Sequence, residues 1–129
     1  MSNYYNPVKI IKTNDWLKQL HFSIKDLDIE NPVIITTPGN RKRLNLDRSF
    51  SNNAIFSDIG VNPNFDDSYR AILFCKENFF DGVIAIGGGS AMDLAKIVMS
   101  HLSLKISNVK KLINFKENYD NIIPSIFLP

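Results

Sequence analysis

The chain has 129 residues, of which 44% are apolar and 22% charged, and its formal net charge is +2. These values describe one soluble globular domain, long enough to bury a core without staples. They argue against a nucleic-acid binder, because the basic residues are scattered and the densest run, Arg41-Lys42-Arg43, reads as a solvated turn. The single cysteine, Cys75, permits no internal disulfide, which fits a reducing compartment. It lies in an apolar helical pattern and is expected to be a packed thiol. No stretch has the order of a signal peptide and no apolar run approaches a membrane span. A cytoplasmic protein with no membrane partner is expected.

In chain order, Val8 to Ile11 is a short candidate strand. Asn14 is placed to cap a helix carrying Trp16, Leu17 and Leu20, which ends near His21. Pro32 to Thr37 is β-branched and apolar throughout, as in a parallel strand buried on both faces, and Pro38-Gly39 stops it. A weak helical signal runs from about Arg41 to Asp47, followed by a third strand over Asn53–Ser57 and a turn at Asn62-Pro63. From Asp66 a helix is expected with Tyr69, Ile72, Leu73, Lys76 and Phe79 along one side. Asp81-Gly82 breaks it before the strand Gly82–Ile86. The next helix carries Leu94, Ala95, Ile97, Val98 and Met99 and is expected to end at His101. The polar stretch 105–121 contains a short helix marked by Val109, Leu112 and Ile113. Ile122 to Leu128 reads as a strand interrupted by Pro124, a residue suited to a strand start or an edge.

Strands alternating with helices predict an α/β fold, a parallel sheet with helices on both faces. Ligands of such sheets bind beyond the carboxyl ends of the strands. Gly87-Gly88-Gly89-Ser90 occupies such an end, between the run Val83 to Ile86 and a helix. Glycines let the backbone approach a ligand, and the first amides of the helix point outward at the positive end of its dipole. A pyrophosphate is the usual anion in that place. The loop is not a P-loop, because Ser90-Ala91 follows the last glycine where lysine and a hydroxyl residue are needed. Nor is it the common dinucleotide fingerprint, which requires glycine where Met92 stands. A plain structural turn would have Ser90 as the helix cap, Asp93 returning a capping-box bond, and Asp93 with Lys96 as a surface pair.

Gly87-Gly88-Gly89-Ser90-Ala91-Met92-Asp93-Leu94-Ala95-Lys96 resembles the GGGSxxDxAK signature of the iron-containing (group III) alcohol dehydrogenases. Asp81 to Ile86 resembles the strand leading into it, and Val61-Asn62-Pro63 resembles the family's asparagine-proline turn. Ile123 to Pro129 resembles the strand before the family's threonine-rich second cofactor loop. The opening Tyr4-Tyr5-Asn6-Pro7-Val8 resembles the phosphonoacetaldehyde reductase branch.

The resemblance implies a Rossmann-like N-terminal NAD(P)-binding domain over residues 1–129, incomplete and lacking the family's helical metal-binding domain. The apolar ending Phe127-Leu128-Pro129 points the same way. It implies hydride transfer between NAD or NADP and a small alcohol or aldehyde. Iron or zinc, as well as any homo-oligomer, would belong to a full-length form. By position, Gly87, Gly88, Gly89 and Ser90 would hold the pyrophosphate and Asn62 would approach the cofactor. Asp93 would lie near the nicotinamide or orient the loop. Thr37 replaces the aspartate by which many NAD-using members hold the adenosine ribose. With Gly39 and Arg41 or Arg43 it would admit the 2′-phosphate of NADP.

His21 and His101 have no partners at metal-ligand spacing, so neither a metal site nor a catalytic residue is expected in this chain. Two other readings remain. One is a non-catalytic nucleotide-binding or interaction module, whose apolar face near Ile122 to Leu128 would need a covering partner. The other is a dehydroquinate-synthase-like lyase, which shares a related glycine loop; Ser90 and Ala95-Lys96 favour the dehydrogenase.

Overall fold

The computed structural model describes residues 10–60, 65–114 and 123–129, with side chains described except at 65 and 105–114. Helix α1, Trp16–Asp26, is capped by Asp15, whose carboxylate accepts from the Lys18 amide at 3.2 Å. Asp15 therefore takes the place expected of Asn14, and His21 falls inside the helix. Ile10 and Ile11 are exposed and non-helical, and pair in no strand. The rest of that candidate strand lies outside the described residues.

Four strands form one parallel sheet: β1 Pro32–Thr36, β2 Ile55–Phe56, β3 Gly82–Ile86 and β4 Ser125–Leu128. Their order is β2-β1-β3-β4. The central pair is in register from Pro32 opposite Gly82 to Thr36 opposite Ile86. Side chains alternate between faces along a strand, so continuous apolar runs fill two cores. Val33, Ile35, Val83 and Ala85 meet α4, Phe65–Lys76, and α5, Gly89–Asn114. Ile34, Ile84 and Ile86 meet Leu20 of α1 and Leu46 of α3, Leu46–Ser49. The expected parallel sheet with helices on both faces is the observed one.

Local boundaries differ from the sequence expectations. The segment 41–47 belongs to two short helices, α2 Pro38–Arg43 and α3, separated by Asn45 in the left-handed region at φ 51°. The third strand is shorter than expected because Asn52–Ala54 is taken up by a 3-10 turn. On α4 the buried positions are Asp67, Ala71 and Cys75, whereas Tyr69 is 64% exposed. The predicted stripe was rotated: small Ala71 and Cys75 face Ala91 and Ala95 of α5 in one cluster and allow a close approach. The larger Leu73 and Phe79 are left at the surface. Helix α5 runs on to Asn114, so His101 lies mid-helix, and Val109, Leu112 and Ile113 continue the same helix. Pro124 precedes edge strand β4, its carbonyl accepting from the Val83 amide at 3.1 Å. Buried Ile123 and half-buried Ile126 and Leu128 pack into the cores, so the apolar face expected there is largely covered within the chain. No helix among the described residues is long and apolar enough to cross a membrane.

The amino ends of β1 and β3 are stitched by Asp81, whose carboxylate accepts from the amides of Glu30 at 3.0 Å and Asn31 at 2.7 Å. Beside it Gly82 lies against Ile29, and a Cβ there would stand 2.7 Å from Ile29 Cγ2. Gly82→Ala should therefore overpack this joint and lower stability by about 1–3 kcal/mol. The check is the urea midpoint of equilibrium unfolding; an unchanged midpoint would mean that Ile29 swings aside freely.

Candidate functional site

The site is assembled where the carboxyl ends of the strands meet the turns that follow. Thr36, fully buried, donates its hydroxyl to the Ile86 carbonyl at 2.8 Å, tying the last residue of β1 to the last of β3. The chain then turns at Gly87, whose φ of +129° L side chains rarely adopt. The Gly87 amide donates to the Leu128 carbonyl at 2.9 Å, so β4 holds the turn from its other side. A Cβ on Gly87 would stand 2.7 Å from Asn40 Nδ2. Backbone conformation and crowding both demand glycine here.

Gly88 and Gly89 are different. A Cβ on either would meet nothing within 4 Å. The fold by itself gives no steric reason for glycine at these two positions, and open space lies over the backbone of both. Helix α5 begins at Gly89, and the Met92 amide bonds the Gly88 carbonyl at 3.1 Å. The capping position thus falls to Gly88, one with no side chain, and Ser90 sits in the first turn instead of capping it. The amides of Gly89, Ser90 and Ala91 precede the first internal helical bond and are offered outward. The 26-residue helix adds the positive end of its dipole at the same point. Asp93 and Lys96 stand exposed and are not ion-paired with each other.

The turn after β1 forms the neighbouring wall. Thr37 caps α2, its hydroxyl oxygen accepting from the Asn40 amide at 3.2 Å. The Asn40 Oδ1 accepts from Arg43 at 2.8 Å. Arg41 is fully engaged: it forks onto Asp47, with a shortest distance of 2.6 Å, and donates to Ser57 Oγ at 3.0 Å. This pair raises the Arg41 pKa and holds the Asp47 carboxyl below the usual carboxylate range, chiefly through the hydrogen bonds. Arg41 thereby straps the ends of β1 and β2 together.

Of the residues expected at the site, Gly87, Gly88, Gly89, Ser90 and Thr37 lie along this one edge. Asn62 lies outside the described residues. Thr36, Asn40 and Ser57 were not anticipated. Thr36 had a faint signal, a hydroxyl at the end of an apolar run. Asn40 and Ser57 had none, because their roles arise from residues distant in sequence. His21 stacks on Phe50 at 5.6 Å between ring centres, away from the edge. Among the described residues no three His, Cys, Asp or Glu side chains converge to hold a metal ion.

Comparison with known proteins agrees with this geometry. Residues 7–129 match the sequence profile of the family described as iron-containing alcohol dehydrogenase. A 43-residue segment is 40% identical to long-chain-alcohol dehydrogenase 1 of Geobacillus thermodenitrificans, covering 33% of this chain and 11% of that protein. A 49-residue segment is 37% identical to the mitochondrial hydroxyacid-oxoacid transhydrogenase of Caenorhabditis elegans, covering 38% of this chain and 10% of that one. The whole chain superposes on sulfoacetaldehyde reductase from Bifidobacterium kashiwanohense, solved with NAD+, at a TM-score of 0.73 and 22% identity. Maleylacetate reductase from Rhizobium sp. superposes over 78% of the chain at a TM-score of 0.63 and 19% identity. The chain spans 36% and 29% of those two solved proteins.

The contrast between the glycines can be measured. Gly87→Ala should cost about 1–3 kcal/mol through its forced φ alone. Gly89→Ala, in open space at the start of a helix, should leave stability unchanged or raise it by up to about 1 kcal/mol. Equal losses in chemical unfolding would contradict the geometry. The Arg41–Asp47 pair predicts a pH effect of definite sign. Because Asp47 is depressed in the folded state, its contribution is present above the ordinary aspartate range and disappears as pH falls through the lower, folded value. An NMR titration should place the Asp47 midpoint below that of the exposed aspartates, and Arg41→Ala should return it to theirs.

Proposed function

This chain belongs to the iron-containing alcohol dehydrogenase family, and on that premise we propose that it is the N-terminal cofactor-binding part of a metal-dependent dehydrogenase. In this reading it binds NAD or NADP for hydride transfer with a small alcohol or aldehyde. The observation that carries the reading is the open space over Gly88 and Gly89. Two glycines that the fold does not require, at the start of a long helix, are accounted for by a ligand that needs the backbone bare.

The residues fit a dinucleotide. The amides of Gly89, Ser90 and Ala91, with the Ser90 hydroxyl, would receive the pyrophosphate, and Gly87 would set the angle at which they face it. Bound there, the cofactor supplies the hydride. Thr37, uncharged at the end of β1, would face the adenosine ribose; its hydroxyl oxygen already accepts from Asn40, leaving its proton to donate outward. No carboxylate there would repel a 2′-phosphate, so both NAD and NADP are admitted. Asn62 would approach from the connection after β2. The described residues do not fit a metal ion, so iron or zinc, the substrate pocket and the catalytic residues are assigned to a second, helical domain of the full protein. Within this reading the Tyr4–Val8 resemblance favours an aldehyde carrying a phosphonate.

Calorimetry of the chain with NAD and with NADP tests the reading. Binding of either should be lost on Gly88→Val while the fold is retained by circular dichroism. Binding that survives Gly88→Val would remove the pyrophosphate from this loop.

A further inference from the structure

We propose that Asn40 is a further cofactor-binding residue, which donates from Nδ2 to the pyrophosphate above Gly87, and that Arg43 is the residue that positions it. The inference rests on the dinucleotide reading of the glycine loop. Asn40 was chosen by neither motif nor pattern; it is singled out by three contacts.

Its backbone amide is fixed by Thr37 Oγ1, which anchors the residue at the turn after β1. Its Oδ1 accepts from the Arg43 guanidinium at 2.8 Å. Arginine carries only donors, so the amide must present its oxygen to Arg43 and its NH2 to the opposite side. That opposite side is the glycine turn, where Nδ2 lies 2.7 Å from the place a Gly87 Cβ would take. Among the described residues Nδ2 has no acceptor. Asn40 is only half-buried, so the group is not sealed in the core but stands at the rim of the cradle. A donor held in one orientation beside the outward amides of α5 suits an anionic oxygen, and the bond would be charge-assisted. The Gly87 requirement acquires a second meaning: any larger residue there would push Nδ2 off the rim.

The role also separates the two nearby arginines. Arg41 is committed to Asp47 and Ser57, whereas Arg43 acts on the ligand through Asn40.

Asn40→Asp distinguishes this role from a structural one. The aspartate keeps an acceptor for Arg43, and so should hold the local fold as well as asparagine does. It loses the Nδ2 donor and sets a negative charge beside the pyrophosphate. We expect Asn40→Asp to weaken NAD and ADP binding about tenfold or more, with the urea midpoint unchanged or raised. Asn40→Ala should weaken both less than Asn40→Asp, because it removes the donor without adding repulsion. Raised salt should narrow the gap between the two variants. Wild-type affinity for NAD and ADP in both variants would overturn the Asn40 proposal while leaving the glycine-loop reading intact. A wild-type chain that binds neither NAD nor ADP would overturn both.

Discussion

The pairing of β1 with β3 is the constraint on which the binding edge depends. Their register runs level from Pro32 opposite Gly82 to Thr36 opposite Ile86, so both strands end at the same height. The turns that leave them, one into α2 and one into α5, therefore emerge side by side. A slip of one residue would exchange the faces of every side chain in a strand that fills two cores. The register is accordingly held at both ends: Asp81 gathers the Glu30 and Asn31 amides at one, and Thr36 bonds the Ile86 carbonyl at the other. Only a level ending brings Asn40 against Gly87, although 47 positions separate them in the chain.

The glycines of β3 and its turn divide according to what requires them. Gly82 is required by Ile29 and Gly87 by its φ and by Asn40. Gly88 and Gly89 are required by nothing in the protein. Constraint inside the fold ends at Gly87 and freedom begins one residue later, where an anion would meet the helix. The same edge is braced laterally, by Leu128 on the Gly87 amide and by Arg41 on Ser57. Exposed ion pairs add little to stability, but this one fixes a geometry by joining the ends of two strands.

Much of the fold was legible because its signals are local. Unbroken β-branched runs identify β1 and β3 as parallel strands buried on both faces, and a glycine run followed by a helical pattern locates the phosphate-like turn. Errors gathered where tertiary packing chooses among locally equal options. The heptad-like spacing of α4 fitted Tyr69, Leu73 and Phe79 as well as Ala71 and Cys75, and the close approach of α5 selected the small residues. Ser90 was a better cap than glycine by side-chain chemistry, yet the helix begins one residue before it. Asn45, able to adopt a left-handed conformation, split the segment read as one helix into two.

The sequence alone determined the α/β class, the order of strands and helices, and the glycine signature with the family it belongs to. Each follows from hydrophobic period, glycine placement or a contiguous motif, properties carried within a short window of chain. The tertiary structure alone decided which glycines are demanded by packing and which are left bare, which arginine is locked, and that Asn40 stands over the loop. Those outcomes depend on distances between residues that approach only when parallel strands align, and no local window contains them.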